Sequence, residues 1–348
     1  MMTFLILLIG YLLVSSIIAK QRNTKEMNKA AAAIRQFGQL YAYPILMPVY
    51  GRPHYLKAVL DALSRVKDID KTILIISQDG DHPEVTALIS QINFTRAVVI
   101  RHTRPLLGVM AYFWDSLVAA STNIYFLLAF AFSRTSAKGV IVLEDDIVPS
   151  VDFYNYFLWT FAQVLSDKNV LSVTGFNIDS RIVPASKYHP QDYPYDLLEN
   201  RERKHAKFTG WSWGITRDKW MQIRKHWSFI SWDIGLDDLQ RKLGYISYKP
   251  VLGRVKNIGM QGGINFTEAE DNPKWRDIYL ADRTYDYSAA PHFRRNEEFA
   301  ATSAVEEYSK PYPNEKTRTR KNRLLLFAGV ILMAIAEYYI LVVKLRLL

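Results

Sequence analysis

Four short apolar runs, separated by longer amphipathic stretches, restrict the folding of this chain more than any other feature of its 348 residues. Residues 43–49 (YPILMPV), 71–77 (KTILIIS), 96–101 (RAVVIR) and 139–143 (GVIVL) have the length and Val/Ile content of strands buried on both faces. Helical patterns lie between them, one ending near Leu63 and others over 83–92 and 107–133. Strands alternating with helices make right-handed βαβ units and a largely parallel sheet, so the expected class is α/β. Beyond Asp146 the alternation becomes irregular. The pattern there predicts a helix over 150–166, a strand over 169–175, extended chain over 207–217 and 247–256, and a helix over 233–244. Residues 176–206, with Asn177, Pro184, Pro190 and Pro194, read as a polar loop region long enough to suggest function.

In such sheets ligands bind beyond the carboxyl ends of the strands. Three of the four runs end there in polar residues: Gly51-Arg52-Pro53, Gln78-Asp79-Gly80-Asp81 and Glu144-Asp145-Asp146. Three consecutive acids after a buried strand concentrate charge at a cost that a hard divalent cation would offset. Mn²⁺ or Mg²⁺ is held by one or two carboxylates, with the rest of its shell from a diphosphate and water. As a Lewis acid it would then neutralise a diphosphate leaving group. The same acids could equally turn the chain and cap the next helix.

Five motifs occur in order: PILMPVYGRP, ISQDG, VLEDDIVPSVDF, TGWSWG and WDIGLDDLQR. Together, over residues 43–270, they resemble N-acetylglucosaminyltransferase I and the related protein O-mannose N-acetylglucosaminyltransferase, with this chain a divergent member. The resemblance implies a GT-A fold, UDP-N-acetylglucosamine as donor, a glycan acceptor, Mn²⁺ and inversion at the anomeric carbon. Carried over by residue, Arg52 contacts the nucleotide or diphosphate and Asp79 the uracil or ribose region. Glu144 and Asp145 line the donor sugar and ribose, and Asp146 ligates the metal. Asp237 matches the catalytic base, with Asp238 one residue away. Gly210, Trp211 and Trp213 fall near donor and acceptor, and Gly259, Gln261, Gly262 and Gly263 in a loop closing over the donor. The tryptophans could equally be core and the glycines a turn. The family's cysteines have no counterpart, and residues 102–135 do not follow its pattern.

The net charge of +10 is not spread over the body. Residues 1–29 and 315–348 hold eleven Lys/Arg against three acids, leaving 33 basic against 31 acidic residues between them. Basic clusters beside apolar stretches suit anionic lipid, and no basic face for nucleic acid is left. Residues 3–19 form an uncharged run long enough for a minimal transmembrane helix; a signal peptide is the competing reading, weakened because no basic residue precedes the run and Lys20, Arg22 and Lys25 follow it. The expected order is an anchor (1–22), a basic helical stem (23–42), the GT-A-like domain (43–284), a linker with a basic cluster (285–323), and a second transmembrane or interfacial helix (324–343). Glu337 is costly inside that last segment. Both basic clusters pull the body toward the cytoplasm by the positive-inside rule. Sequons at Asn93 and Asn265 would be used only in a secretory lumen. The expected location is therefore a membrane, of Golgi type in a eukaryote or the plasma membrane with a cytoplasmic domain in a prokaryote. With no cysteine, disulfides and thiolate metal sites are excluded. Other readings of the same residues are a transferase using a different nucleotide sugar for surface polysaccharide or glycolipid, a metal-dependent nucleotidyl- or phosphotransferase, and a non-catalytic glycan binder.

Overall fold

A computed structural model of the chain describes residues 2–104, 109–165, 167–177, 189–199, 208–259, 280–289 and 292–295. In chain order the elements are α1 (Met2–Gln36), β1 (Ile45–Val49), α2 (Pro53–Leu63), β2 (Ile73–Asp79), α3 (Pro83–Ser90), β3 (Arg96–His102), α4 (Val109–Arg134), β4 (Gly139–Val142) and β5 (Ile147–Pro149). They continue with α5 (Phe153–Gln163), β6 (Val170–Thr174), β7 (Asp196–Glu199), β8 (Trp213–Thr216), α6 (Arg217–Ile223), α7 (Trp232–Leu243), β9 (Ile246–Pro250), β10 (Val255–Asn257) and β11 (Arg294–Arg295).

Among the described residues, nine strands make one sheet in the order β11-β7-β9-β6-β8-β4-β1-β2-β3. The half from β3 to β4 is parallel throughout, as the alternating pattern requires. The sheet as a whole is mixed, because β8 runs antiparallel to both β4 and β6, and β7 is antiparallel to β9. A separate antiparallel ribbon pairs β5 with β10.

Side chains alternate along each strand and so feed two cores. Leu46, Ile73, Ile75, Val140 and Val142 face a layer made by α1, α4, α6 and α7. Ile45, Met47, Leu74, Ile76 and Ile141 face α2, α3 and α5. The result is a sheet with helices on both faces. α4 is long and apolar enough to cross a membrane, yet 67% of its 117–134 window is buried in the first core. It is apolar because it is a core helix.

The anchor and stem expected over 1–22 and 23–42 share one helix, α1, without a break at residue 22. Its second half packs on the body through Met27, Ala30, Ala31 and Ile34. Asn23 fixes the register. Its amide donates to the Thr103 carbonyl at 2.9 Å and its side-chain oxygen accepts from the Thr103 N–H at 2.8 Å. Truncating Asn23 leaves two backbone groups unpaired where water is largely excluded, so Asn23→Ala is expected to lower the unfolding free energy by about 1–3 kcal/mol. Denaturant titration reads that loss, and faster exchange of the Thr103 amide localises it. The expected helix at 324–343 and most of the 285–323 linker lie outside the described residues.

Candidate active site

Parallel pairing of β1 with both β2 and β4 sets their carboxyl ends side by side. That places Tyr50 to Arg52, Asp79 and Glu144 to Asp146 along one edge of the sheet. The turn after β1 is held open by a glycine, since a Cβ on Gly51 would lie 2.8 Å from the His82 ring. Pro53 then starts α2 in its first turn, where a missing N–H costs nothing, and Arg52 points across to the acids.

The guanidinium bridges two of those acids. Arg52 Nη2 lies 2.6 Å from Asp145 Oδ1, and Nη1 lies 2.8 Å from Asp146 Oδ2. The Tyr50 N–H donates to Asp145 Oδ2 at 3.3 Å. Burial works against the Arg52 charge, but the two carboxylates outweigh it and hold its pKa above the usual arginine value. Burial also raises the Asp146 pKa, with Arg52 opposing and Asp145 adding to the rise. Glu144 keeps partial surface access but is surrounded by protein. Desolvation, followed by repulsion from Asp146 and Asp145, pushes its carboxyl well above the normal carboxylate range.

A further acid, not singled out in the sequence, lies near this cluster. Asp233, in the first turn of α7, is close enough to Glu144 to add to that rise. Its Oδ1 accepts from Ser231 Oγ at 2.7 Å, and the residue is partly exposed. Asp237 lies one turn further along α7, with both oxygens engaged. Oδ1 accepts from the Phe208 N–H at 2.9 Å, and Oδ2 lies 3.3 Å from Arg241 Nη2. Asp238 pairs with Arg241 at the surface. The available signal for Asp233 was its position directly after Ser231 and Trp232 at a helix start, four residues before Asp237 and so on the same helix face.

Asp79 is buried at the end of β2, with Arg104 Nε at 3.1 Å from its Oδ2 and His102 Nδ1 at 3.5 Å from its Oδ1. Trp213, expected beside the donor, is instead fully buried. It stacks on Trp232 at 5.7 Å between ring centroids, and Gly210 gives Trp232 its space, since a Cβ there would lie 2.4 Å from that ring. These aromatics build the core beneath α7. Gly262, Gln261 and Gly263 lie outside the described residues.

Gly259 is described, and it sits against the acid cluster. A Cβ there would lie 2.1 Å from Asp146 Oδ2, and the Ile258 N–H donates to the Asp146 carbonyl at 3.0 Å. The chain after β10 therefore packs directly on the Asp146 carboxylate. Gly259→Ala is expected to displace that carboxylate and cost about 1–3 kcal/mol of stability. A melting curve with and without nucleotide checks this; an unchanged melt and unchanged nucleotide binding would show that the segment yields freely.

The donor set can also be tested against a metal. Among the described residues no three metal-ligating side chains gather into a protein-only site. Asp146, with Glu144 and Asp145 beside it, fits the looser arrangement of one or two carboxylates with a substrate diphosphate completing the shell.

Comparison with known proteins bears on what this edge handles. The N-acetylglucosaminyltransferase II (MGAT2) family model matches residues 17–103, which include Arg52 and Asp79. The alpha-1,3-mannosyl-glycoprotein 2-beta-N-acetylglucosaminyltransferase of Arabidopsis thaliana is 22% identical over 238 residues, 67% of this chain. The chain resembles N-acetylglucosaminyltransferases. It spans about half (51%) of the length of that curated relative. Among solved structures, a mannosyltransferase from Pyrobaculum calidifontis in complex with GDP-Man and Mn²⁺ is 10% identical, with a TM-score of 0.38, over 69% of this chain and 66% of that one. Glucosyl-3-phosphoglycerate synthase from Mycobacterium tuberculosis, in complex with Mn²⁺, UDP and phosphoglyceric acid, is 13% identical, with a TM-score of 0.36, over 66% of this chain and 74% of that one.

Proposed function

We propose that the protein is an inverting, metal-dependent glycosyltransferase that moves N-acetylglucosamine from UDP-N-acetylglucosamine to a mannose-bearing glycan, and that it is anchored in a membrane through α1. The observation that carries this reading is the Arg52–Asp145–Asp146 bridge at the carboxyl edge of the parallel half-sheet, in a chain that resembles N-acetylglucosaminyltransferases.

Asp146 is the residue to hold Mn²⁺ or Mg²⁺, which when bound supplies Lewis-acid neutralisation of the diphosphate. Arg52 shares that task as a fixed positive charge, released from the carboxylates as a donor phosphate takes their place. Glu144 and Asp145 face the donor sugar and ribose, and Asp79, held by Arg104, faces the uracil or ribose region. Transfer with inversion is one displacement: the acceptor oxygen bonds to the anomeric carbon as the bond to UDP breaks. The hydroxyl proton goes to a carboxylate opposite the leaving group. Family resemblance puts that base at Asp237. Both Asp237 oxygens are engaged, by Phe208 and Arg241, and Asp233, one turn earlier on the same helix, is the alternative carboxylate for this role.

A donor panel with purified protein and Mn²⁺ tests the assignment. UDP release from UDP-N-acetylglucosamine, lost on chelation and restored by Mn²⁺, is the expected result. Turnover of UDP-glucose or UDP-galactose alone would redirect the reading to another sugar. Pyrophosphate as product would indicate a nucleotidyltransferase.

A further inference from the structure

α1 runs antiparallel to the strands. At the amino end of β3 the Arg96 guanidinium lies 5.5 Å from the Phe37 ring centroid, and at its carboxyl end Asn23 clamps Thr103. Residues 23–36 of the helix cover about 20 Å, close to the length of the seven-residue strand. Everything before Asn23 therefore projects past the carboxyl edge of the sheet, the edge that holds Arg52, Asp79 and the acids. That projection, residues 2–22, is about 30 Å of uninterrupted helix.

The projecting part carries exposed apolar side chains: Tyr11 is 60% exposed and Val14, Ile17 and Ile18 between 42% and 55%, while Ser15 and Ser16 are half-buried. Its uncharged run ends at Ala19, and exposed Lys20, Arg22 and Lys25 follow at once. A run of this length matches a bilayer's hydrocarbon core, and a basic collar at its end suits anionic head groups. Ala19 lies only four residues, about 6 Å, before Asn23, and it is buried. Head groups flanking Lys20 to Lys25 would then lie at the level of Thr103.

We infer that the protein sits with the carboxyl edge of the sheet, which carries this site, against the lipid head groups, and that its acceptor is a sugar carried on a lipid of the same bilayer. A gap of about one helical turn leaves no room for a folded glycoprotein between membrane and site. A sugar on a lipid is presented at that height. The orientation stands on α1 alone; the acceptor class rests on the glycosyltransferase reading above.

The chain has no cysteine, so single-cysteine variants report position directly. Asp81→Cys marks the site edge, where the side chain is 94% exposed, and Leu40→Cys marks the opposite edge, where it is 82% exposed. Each full-length variant, carrying one fluorophore, is placed in phosphatidylcholine–phosphatidylglycerol vesicles with a nitroxide on the head group. Strong quenching at position 81 and little at 40 is expected. Equal or reversed quenching overturns the orientation, whether or not the protein is active. A second arm compares an octadecyl α-mannoside in the vesicles with methyl α-mannoside in solution, in the wild type and in a variant with a flexible Gly/Ser linker inserted after Gln21. The linker should cut transfer to the octadecyl acceptor by about tenfold, through lost effective concentration, and leave the soluble acceptor unaffected. Equal loss or no loss overturns the lipid-acceptor assignment. Transfer to neither acceptor by the wild type overturns both that assignment and the mannose-acceptor reading, and leaves the quenching result standing.

Discussion

Asp233→Asn is expected to lower kcat by about 10²–10⁴ while UDP-sugar binding persists, the range for removing a general base. The substitution keeps the shape and the bond from Ser231, and removes only the capacity to accept a proton. Asp237→Asn should do something different. Asparagine can still accept from the Phe208 backbone through Oδ1, but it loses the ionic contact of Oδ2 with Arg241 that holds this end of α7. A smaller fall in kcat with a lower Tm is the expected signature. Steady-state kinetics of both variants, alongside binding of UDP by calorimetry, separates the roles. If Asp237→Asn abolished turnover at unchanged Tm and Asp233→Asn did not, the base would be Asp237, as family resemblance implies. Neither variant should affect metal-dependent donor binding as Asp146→Ala should.

The second large effect lies behind the site. Arg254 and Asp152 are both fully buried and paired at 3.1 Å. Arg254 also donates to the Pro194 carbonyl at 2.7 Å, the Tyr287 hydroxyl at 3.2 Å and the Leu252 carbonyl, and lies 4.8 Å from the centre of the Tyr156 ring. Asp152 accepts in addition from the Tyr287 hydroxyl and from the Tyr285 N–H at 3.2 Å. One ion pair thus ties the start of α5 to the β9–β10 turn, the 190s loop and the 280s segment. Arg254→Ala strips an interior carboxylate of its partner and is expected to cost about 3–5 kcal/mol. Against a usual total of about 5–15 kcal/mol, that leaves little folded protein at physiological temperature. Urea denaturation measures the loss. The double variant Arg254→Met, Asp152→Leu should recover much of it, because the penalty comes from the orphaned charge and not from the missing attraction. Failure of the double variant to recover would place the cost in the lost bonds to Pro194, Leu252 and Tyr287.

The parallel half of the sheet was legible because its strands are buried on both faces. The four apolar runs agree with β1, β2, β3 and β4 to within two residues. The other half was harder for definite reasons. The extended chain at 207–217 contains β8, but nothing local fixes its direction, antiparallel to both β4 and β6; Gly214 fits under Phe157 and Phe161 while Trp213 and Ile215 face the other core. The extended 247–256 segment is two strands in two different sheets, broken at the turn that Arg254 anchors. β7 was hidden in a stretch too polar to read as a strand. That Arg52, Asp145 and Asp146 share one edge could be read because strand ends converge by topology. Asp233 could not, because its approach to Glu144 depends on where α7 lands on the sheet. The burial of Trp213 could not be read either, because an aromatic side chain carries the same letter whether it stacks on a sugar or on Trp232.

The position of β8 has a consequence for how the chain comes together. It fills the gap between β4 and β6, and it is made more than seventy residues after β4. During synthesis, β1 to β4 can assemble as soon as residue 142 is available, but the free side of β4 has no partner until residue 216 has emerged. Until then the nascent chain presents an unpaired strand of Gly139 to Val142 beside the acids of the site, an invitation to pair with a neighbouring chain. The short length of that strand limits the hazard. Because β8 arrives late, the two halves of the sheet can join only after residue 216 has been made.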